Sequence, residues 1–227
     1  MNNICHEKYR NMSYLKILKT KIFTPVIWPS LQEELKEYFK YFNGNVLNAG
    51  AGDRDISPFI SGKLFNQDLP GGLHTKNVHV YSNLDNIPIK DGFFDAIICN
   101  AVLEHVVNPD KVIKEFNRVM KRGGYLYLCV PFLQPEHLDP GDFQRYTKYG
   151  LKKLVEENGF SVVKLEGVHT VYHTLARIIQ DWLTSKNCFK YRLLRLFIFP
   201  LLNYKTRNSN TYVDTIASAY RVLAVKI

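Results

Sequence analysis

Apolar positions along the chain repeat with two different periods, and the switches between them outline the fold. Over residues 30–42, Leu31, Leu35, Tyr38, Phe39 and Phe42 recur at helical spacing. Ser30 stands as N-cap and Glu33 completes a capping-box pattern, while Gly44 marks the end. Short apolar runs then predict strands at 45–49, 63–67, 77–81, 94–99, 124–130, 161–166 and 218–226. A helix over 109–121 opens on Pro109 with Asn108 as its cap. Another over 147–158 opens at Thr147 and closes on Asn158-Gly159. A third helical region fills roughly 171–203, broken near Lys186-Asn187 and stopped at Pro200.

Short apolar strands alternating with helices imply an α/β fold, a mostly parallel sheet covered on both faces. The last strand, reached after the long helical stretch, is expected to insert antiparallel. In open sheets of this kind ligands bind beyond the carboxyl ends of the strands. The ends of 45–49, 63–67 and 94–99 therefore surround one expected crevice. Residues 1–29 read as an N-terminal extension to a single domain over 30–227, with a helical insertion at about 171–207.

Composition adds two constraints. Four widely spaced cysteines, Cys5, Cys99, Cys129 and Cys188, contain no C-x-x-C pair. Two of them lie in strand-like apolar runs, so reduced thiols in a cytoplasmic setting are expected, not a disulfide frame or zinc site. No signal-peptide core is evident, because Lys16, Lys19 and Lys21 interrupt the N-terminal apolar residues. The formal net charge of +9 is uneven. Between Asp181 and Asp214 there is no acidic residue, yet Lys186, Lys190, Arg192, Arg195, Lys205 and Arg207 all occur there among aliphatic and aromatic residues. The segment 186–207 is either a lid, a surface that lies on an anionic membrane, or a basic helix packed on the domain with a solvated rim. Aromatics do not form a stacking platform among these charges, which argues against nucleic acid.

After Val46-Leu47 the chain reads NAGAGDRD over residues 48–55. Gly50-Ala51-Gly52 lets backbone approach a ligand, and its amides are expected to point at a carboxylate or phosphate; a tight structural turn explains the glycines equally well. The third glycine of a dinucleotide loop is absent, with Asp53-Arg54 following, which disfavours an oxidoreductase. Asp68 follows a strand, where an acid can accept from both ribose hydroxyls or simply form the turn before Leu69-Pro70-Gly71.

Residues 83–132 carry a longer series: Ile87-Pro88-Ile89, Lys90-Asp91-Gly92, Phe94-Asp95, Leu103-Glu104-His105, Arg118-Val119-Met120 and Lys121-Arg122-Gly123-Gly124. In order and spacing, together with the 48–68 stretch before it and residues 131–147 after it, about a hundred residues in all, it resembles the class I S-adenosylmethionine-dependent methyltransferases, particularly the small type 11 group. The resemblance implies a Rossmann-like seven-stranded sheet and S-adenosylmethionine as cofactor. It implies that Ala49, Gly50, Ala51 and Gly52 wrap the cofactor's methionine part and that Asp68 holds the ribose. Asn83 and Leu84 would read the adenine, and Asn100 and Ala101 would contact the amino-acid end. Asn48 stands where the family usually has an acid that holds the ammonium, and Asn83 replaces a frequent Asp.

The stretch PFLQPEHLDPGDFQRYT, residues 131–147, resembles a pattern in a glycan-modifying subset of these enzymes. His137 and His105 are the candidate bases for removing an acceptor proton, since imidazole suits that task near neutral pH. Asp142 either orients His137, binds sugar hydroxyls or pairs with Arg145. Arg145 suits a phosphate or carboxylate on the acceptor, Phe132 and Tyr146 suit walls for a sugar ring, and His173 is a further candidate. The scattered histidines lack the paired spacing and acidic support of a metal site, so none is expected. The expectation is methyl transfer to a saccharide or glycan precursor, by a cytoplasmic protein that can sit at the inner membrane face. The alternatives are a small metabolite or lipid quinone as acceptor, or a non-catalytic binding protein on the same fold.

Overall fold

The computed structural model describes residues 29–71, 77–137, 141–185 and 188–227. Most of the expected N-terminal extension and the expected break at Lys186-Asn187 lie outside the described residues. The described residues divide into two compact units: one drawn from Ser30–Phe132, Glu136–Val168 and Ala219–Ile227, the other from Pro29, Leu133–Pro135 and His169–Ser218.

All seven expected strands form in the first unit. They are β1 (Asn43–Ala49), β2 (Ser61–Asp68), β3 (Val80–Tyr81), β4 (Phe94–Asn100), β5 (Met120–Pro131), β6 (Phe160–Val168) and β7 (Ala219–Lys226). Their order is β3-β2-β1-β4-β5-β7-β6. The pairs from β3 to β5 are parallel, and β7 inserts antiparallel between β5 and β6. The sheet's central strands are buried along most of their length, which is why they read as continuous apolar runs. The helices of this unit are α1 (Leu31–Leu35), α2 (Pro109–Val119) and α3 (Lys148–Glu157).

Helix α1 keeps the capping box between Ser30 and Glu33 but ends at Leu35, not at Phe42. The Tyr38 amide reaches back only three residues, to the Leu35 carbonyl, and the chain tightens into a 3-10 turn over Phe39–Tyr41. The apolar spacing still serves burial: Leu35, Tyr38 and Phe42 join Val46, Ile98, Tyr127 and Leu223 in one core cluster. Tyr38 is also pinned by its hydroxyl, which donates to Glu166 at 2.7 Å. Asn108 does not cap α2 with its side chain; its backbone carbonyl accepts from Val112 instead. Thr147 does cap α3, accepting from the Gly150 amide.

The other unit holds α4 (Val171–Ser185) and α5 (Phe189–Asn208). Ala176 and Leu183 from α4 pack with Phe199 and Leu202 from α5. Pro200 does not stop α5, as the sequence had suggested, but lies inside it. A proline in a helix interior costs about 3 kcal/mol, and burial of Leu202, Asn203 and Thr206 in the following turn offsets it. Phe189, Phe197 and Tyr204 of the same helix are 80%, 70% and 63% exposed, so its apolar residues are only partly used inside the unit. Among the described residues no helix is long and apolar enough to cross a membrane.

Several residues of the 87–122 series hold loops instead of facing the crevice. Arg118 donates to the carbonyls of Ile87 and Ile89 at 2.9 Å each, and to the carboxylates of Asp91 and Glu115. Glu115 in turn accepts from the Ile87 amide at 2.6 Å. Arg118 beside it holds the Glu115 carboxyl below the usual range. A depressed carboxylate stabilises the fold fully above its unfolded pKa and loses that contribution as pH falls through the folded one. Arg118→Ala is therefore expected to cost about 1–3 kcal/mol in urea unfolding at neutral pH. Glu115→Gln should lose less stability than wild type on acidification, measured by the same titration in steps below neutral pH.

Candidate functional site

Where β1 ends, the chain makes the tight turn that carries Gly50 and Gly52, both in the left-handed region at φ 63° and 57°. The three amides of this turn are all taken by β2. Gly50 donates to the Gln67 side-chain oxygen at 3.0 Å, Ala51 to the Gln67 carbonyl at 2.9 Å, and Gly52 to Asp68 Oδ2 at 3.0 Å. The expectation that these amides point at an anion is thus corrected, because the neighbouring strand uses them first. Gly50 is also required by packing: a Cβ there would stand 2.5 Å from Val102 Cγ2. Gln67, which the sequence reading missed, clamps the turn, since its amide nitrogen donates to the Ser82 carbonyl at 2.7 Å. No periodicity marks such a role for a buried glutamine.

The groups gathered at these strand ends are mostly acceptors. Asp68 accepts from Gly52 and, through Oδ1, from the Leu69 amide at 2.8 Å. A carboxylate offers about four lone-pair sites, so capacity remains for hydroxyl donors. Asn100 closes β4, and its side-chain oxygen is buried without a hydrogen-bond partner among the described residues. Ala101 follows at φ 53° and donates its amide to the Cys129 carbonyl. Ala49 and Ala51 are buried, Leu84 is buried and Asn83 is exposed. Arg54, noticed in sequence only as an interruption of the glycine pattern, reaches the Asn100 carbonyl at 3.1 Å. Burial pushes its guanidinium pKa down.

Asn48 has a specific partner. It faces Asn66 in register across β1 and β2 and donates to the Asn66 side-chain oxygen at 3.0 Å. The Asn66 amide nitrogen is itself spent on the Asn77 carbonyl. A donor-rich, cationic ligand bearing an ammonium, a sulfonium and ribose hydroxyls matches this set of acceptors, so S-adenosylmethionine fits the residues present.

A second cluster lies just beyond Asn100. Residues Leu103–His105 form a 3-10 turn, and the segment 141–145 is tied onto it. Phe143 donates its amide to the Glu104 carbonyl at 2.8 Å, and the Gln144 side chain donates to the carbonyls of Leu103 and Val106. Glu104 is fully buried and neither carboxylate oxygen has a hydrogen-bond partner among the described residues. His137 Nε2 stands 3.6 Å from Glu104 Oε1, and His105 Nε2 stands 3.7 Å from the same oxygen. The carboxylate raises the His137 pKa, burial opposing it. His105 Nδ1 is hydrogen-bonded to the Gly141 carbonyl. Glu104 was not singled out in sequence, because it gains its meaning only when His137 arrives from another loop.

Asp142 accepts from the His137 amide at 2.9 Å and has Oδ2 3.5 Å from His137 Nδ1. Arg145 forks onto the same carboxylate and holds its pKa down at about 2. Phe132 packs against Tyr220 with ring centroids 5.2 Å apart, and burial raises the Tyr146 hydroxyl to about 12. His173 belongs to the helical unit, where its Nδ1 pairs with Thr170 at 2.9 Å. Burial, with His169 beside it, pushes His173 down to about 4.

Two substitutions test the turn. Gly50→Ala meets both the Val102 contact and a left-handed backbone, and is expected to destabilise by about 1–3 kcal/mol. Asn48→Asp sets an oxygen against the Asn66 oxygen and should cost about 1–2 kcal/mol in the ligand-free protein. Urea unfolding reads both.

The family model described as Methyltransferase domain matches residues 67–128. The chain is 34% identical over 116 residues to a Ubiquinone/menaquinone biosynthesis C-methyltransferase UbiE of Vibrio campbellii, covering 50% of this chain and 39% of that protein. It spans about half or less of the length of the curated relatives it matches. A solved structure named as a SAM-dependent methyltransferase from Archaeoglobus fulgidus superposes with TM-score 0.56 at 17% identity, covering 94% of this chain and 100% of that one. The [4+2]-cyclase SpnF superposes with TM-score 0.58 at 15% identity, covering 86% and 80%. The shared fold therefore does not by itself dictate methyl transfer. Residues 67–128 thus resemble a methyltransferase domain, and the seven-stranded sheet with β7 antiparallel has the fold of the solved SAM-dependent methyltransferase.

Proposed function

We propose that the protein is an S-adenosylmethionine-dependent methyltransferase whose acceptor is a hydroxyl, with a saccharide or glycan precursor as its first class of substrate. The observation that carries this reading is the set of acceptor groups at the ends of β1, β2 and β4. The amides there are spent internally, while Asp68 keeps acceptor capacity and Asn100 keeps a buried, unpartnered oxygen. That balance favours a cationic cofactor over a dinucleotide pyrophosphate, which needs donors. In this reading Asp68 takes the ribose hydroxyls, Asn83 and Leu84 border the adenine, and Asn48, Ala49, Asn100 and Ala101 border the methionine part. The methyltransferase domain runs over 30–227, with the helical segment as an insertion.

Methyl transfer from a sulfonium is an in-line displacement, so alignment of the acceptor supplies much of the rate. A hydroxyl must also give up its proton, and the neutral imidazole of His137 is the group to take it, with Asp142 and Arg145 setting its position. Arg145, forked onto Asp142, serves the loop more than a substrate anion.

The lipid-quinone reading also has support, in the UbiE relatives and in the exposed Phe189 and Phe197 beside Lys190 and Arg192. It implies a cytoplasmic protein with its helical unit against an anionic leaflet. Sedimentation with anionic vesicles at low salt, abolished by high salt, is its expected signature.

Isothermal titration should find binding of S-adenosylmethionine and none of NAD. Asp68→Ala is expected to weaken cofactor binding at least tenfold. His137→Ala should leave it within about twofold while lowering turnover by about 10²–10⁴. Turnover is followed with labelled cofactor against nucleotide sugars, glycans and lipid extracts. Binding of NAD instead of S-adenosylmethionine would overturn the proposal.

A further inference from the structure

Glu104, His105 and His137 present one carboxylate oxygen and two imidazole nitrogens whose ligand atoms all lie within 4.8 Å of one another. The geometry points to a divalent transition-metal site built from these three residues. Neither the glycine turn nor the 67–128 segment by itself contains it, since His137 comes from a separate loop.

Three observations carry the inference. First, the Glu104 carboxylate is fully buried and neither oxygen has a hydrogen-bond partner among the described residues. A buried carboxylate in that state costs several kcal/mol unless a cation completes it. Second, the two histidines approach the same oxygen, Oε1, at 3.6 and 3.7 Å. Protonated imidazoles held by a carboxylate close to about 2.7–2.9 Å, and neither does so. An ion about 2.1 Å from each ligand atom at tetrahedral angles holds those atoms roughly 3.4 Å apart. The two histidine–carboxylate gaps lie near that spacing and exceed a direct hydrogen bond, while ligand atoms within 4.8 Å of one another must draw below about 4.2 Å to share one ion.

Third, the far nitrogen of His105 is engaged as in a metal-ligating histidine, its Nδ1 being hydrogen-bonded to the Gly141 carbonyl. His137 Nδ1 has Asp142 Oδ2 3.5 Å away but makes no hydrogen bond among the described residues. Such outer partners fix the ring orientation and raise the basicity of the ligating nitrogen. Asp142 is held in turn by Arg145, so this outer support is itself anchored. Two imidazoles and one carboxylate suit Zn²⁺, Mn²⁺ or Fe²⁺ better than Ca²⁺ or Mg²⁺, which favour oxygen ligands. Three protein ligands also leave a coordination position for an exogenous oxygen.

The site deepens the proposed reaction and rests on that reading only for its catalytic role. With the ion bound, an acceptor oxygen in the open position loses its proton to water more readily, because the ion stabilises the resulting oxyanion. His137 then acts as a ligand, not as the base.

The test uses untagged, chelator-treated, full-length protein titrated with Zn²⁺ by calorimetry and with Co²⁺ by absorption spectroscopy. One ion per chain is expected, with the ligand-field bands of a nitrogen- and oxygen-ligated Co²⁺. Glu104→Gln and His137→Ala should each weaken binding at least 100-fold, and Asp142→Asn about 10-fold. Thermal melts confirm that each variant is folded; His137→Ala, altering a partly exposed side chain, serves if the buried Glu104→Gln does not fold. Absence of a stoichiometric site, or affinity unchanged in either folded ligand variant, overturns the inference. S-adenosylmethionine titrated into the same samples separates the two proposals, because cofactor binding does not require the ion and ion binding does not require the cofactor.

Discussion

The cluster of acceptors at the strand ends depends on β1 ending between two parallel neighbours and turning back at once onto β2. Gln67 and Asp68 absorb the three amides of the glycine turn, and Val102 from the far side of β4 fills the space beside Gly50. An unpaired buried amide would cost about as much as a lost hydrogen bond, so the turn is satisfied by its own sheet before any ligand arrives. The outcome is a pocket edge made of oxygens. Asn48 belongs to the same logic: its amide is matched to Asn66, which is matched to Asn77. The departure from the family's acid is thus part of a cross-strand chain of amides, and an isolated exchange of Asn48 disturbs two strands.

The cluster around Glu104 is built by attachment to this frame. The 3-10 turn at Leu103–His105 begins three residues after Asn100, and Phe143 and Gln144 tie their segment onto its carbonyls. That attachment brings His137 to the Glu104 carboxylate, and the Asp142–Arg145 pair keeps it there. Burial of Glu104 makes the arrangement electrostatically demanding, since a carboxylate in low dielectric needs a cationic partner.

Resemblance to a family motif does not distinguish chemical residues from supporting ones. Arg118 stands within the strongest part of the recognised series, yet it binds the carbonyls of Ile87 and Ile89 and the carboxylates of Asp91 and Glu115. It holds the loop that precedes β4. Asp95, at the start of β4, likewise accepts from the Asn45 amide of β1 and from Lys121 of β5, linking the starts of the three strands.

The sequence by itself determined the seven strands, their α/β character and the antiparallel insertion of the last one. Apolar periodicity is a local record of which faces are buried; β4 is buried nearly throughout, and β1 and β5 are buried over their C-terminal parts. It also located the capping box of α1 and the Thr147 cap of α3, because those interactions span three residues. Only the tertiary structure decided the rest. Pro200 could remain inside α5 because the turn beyond it is buried, and α1 could end at Leu35 because Tyr38 and Phe42 reach the core without a helix. The use of the glycine amides, the Asn48–Asn66 pair and the convergence of His137 on Glu104 all join residues 16 to 33 positions apart across strand ends and loops. No local period encodes such contacts; the register of parallel strands and the path of the connecting loops create them.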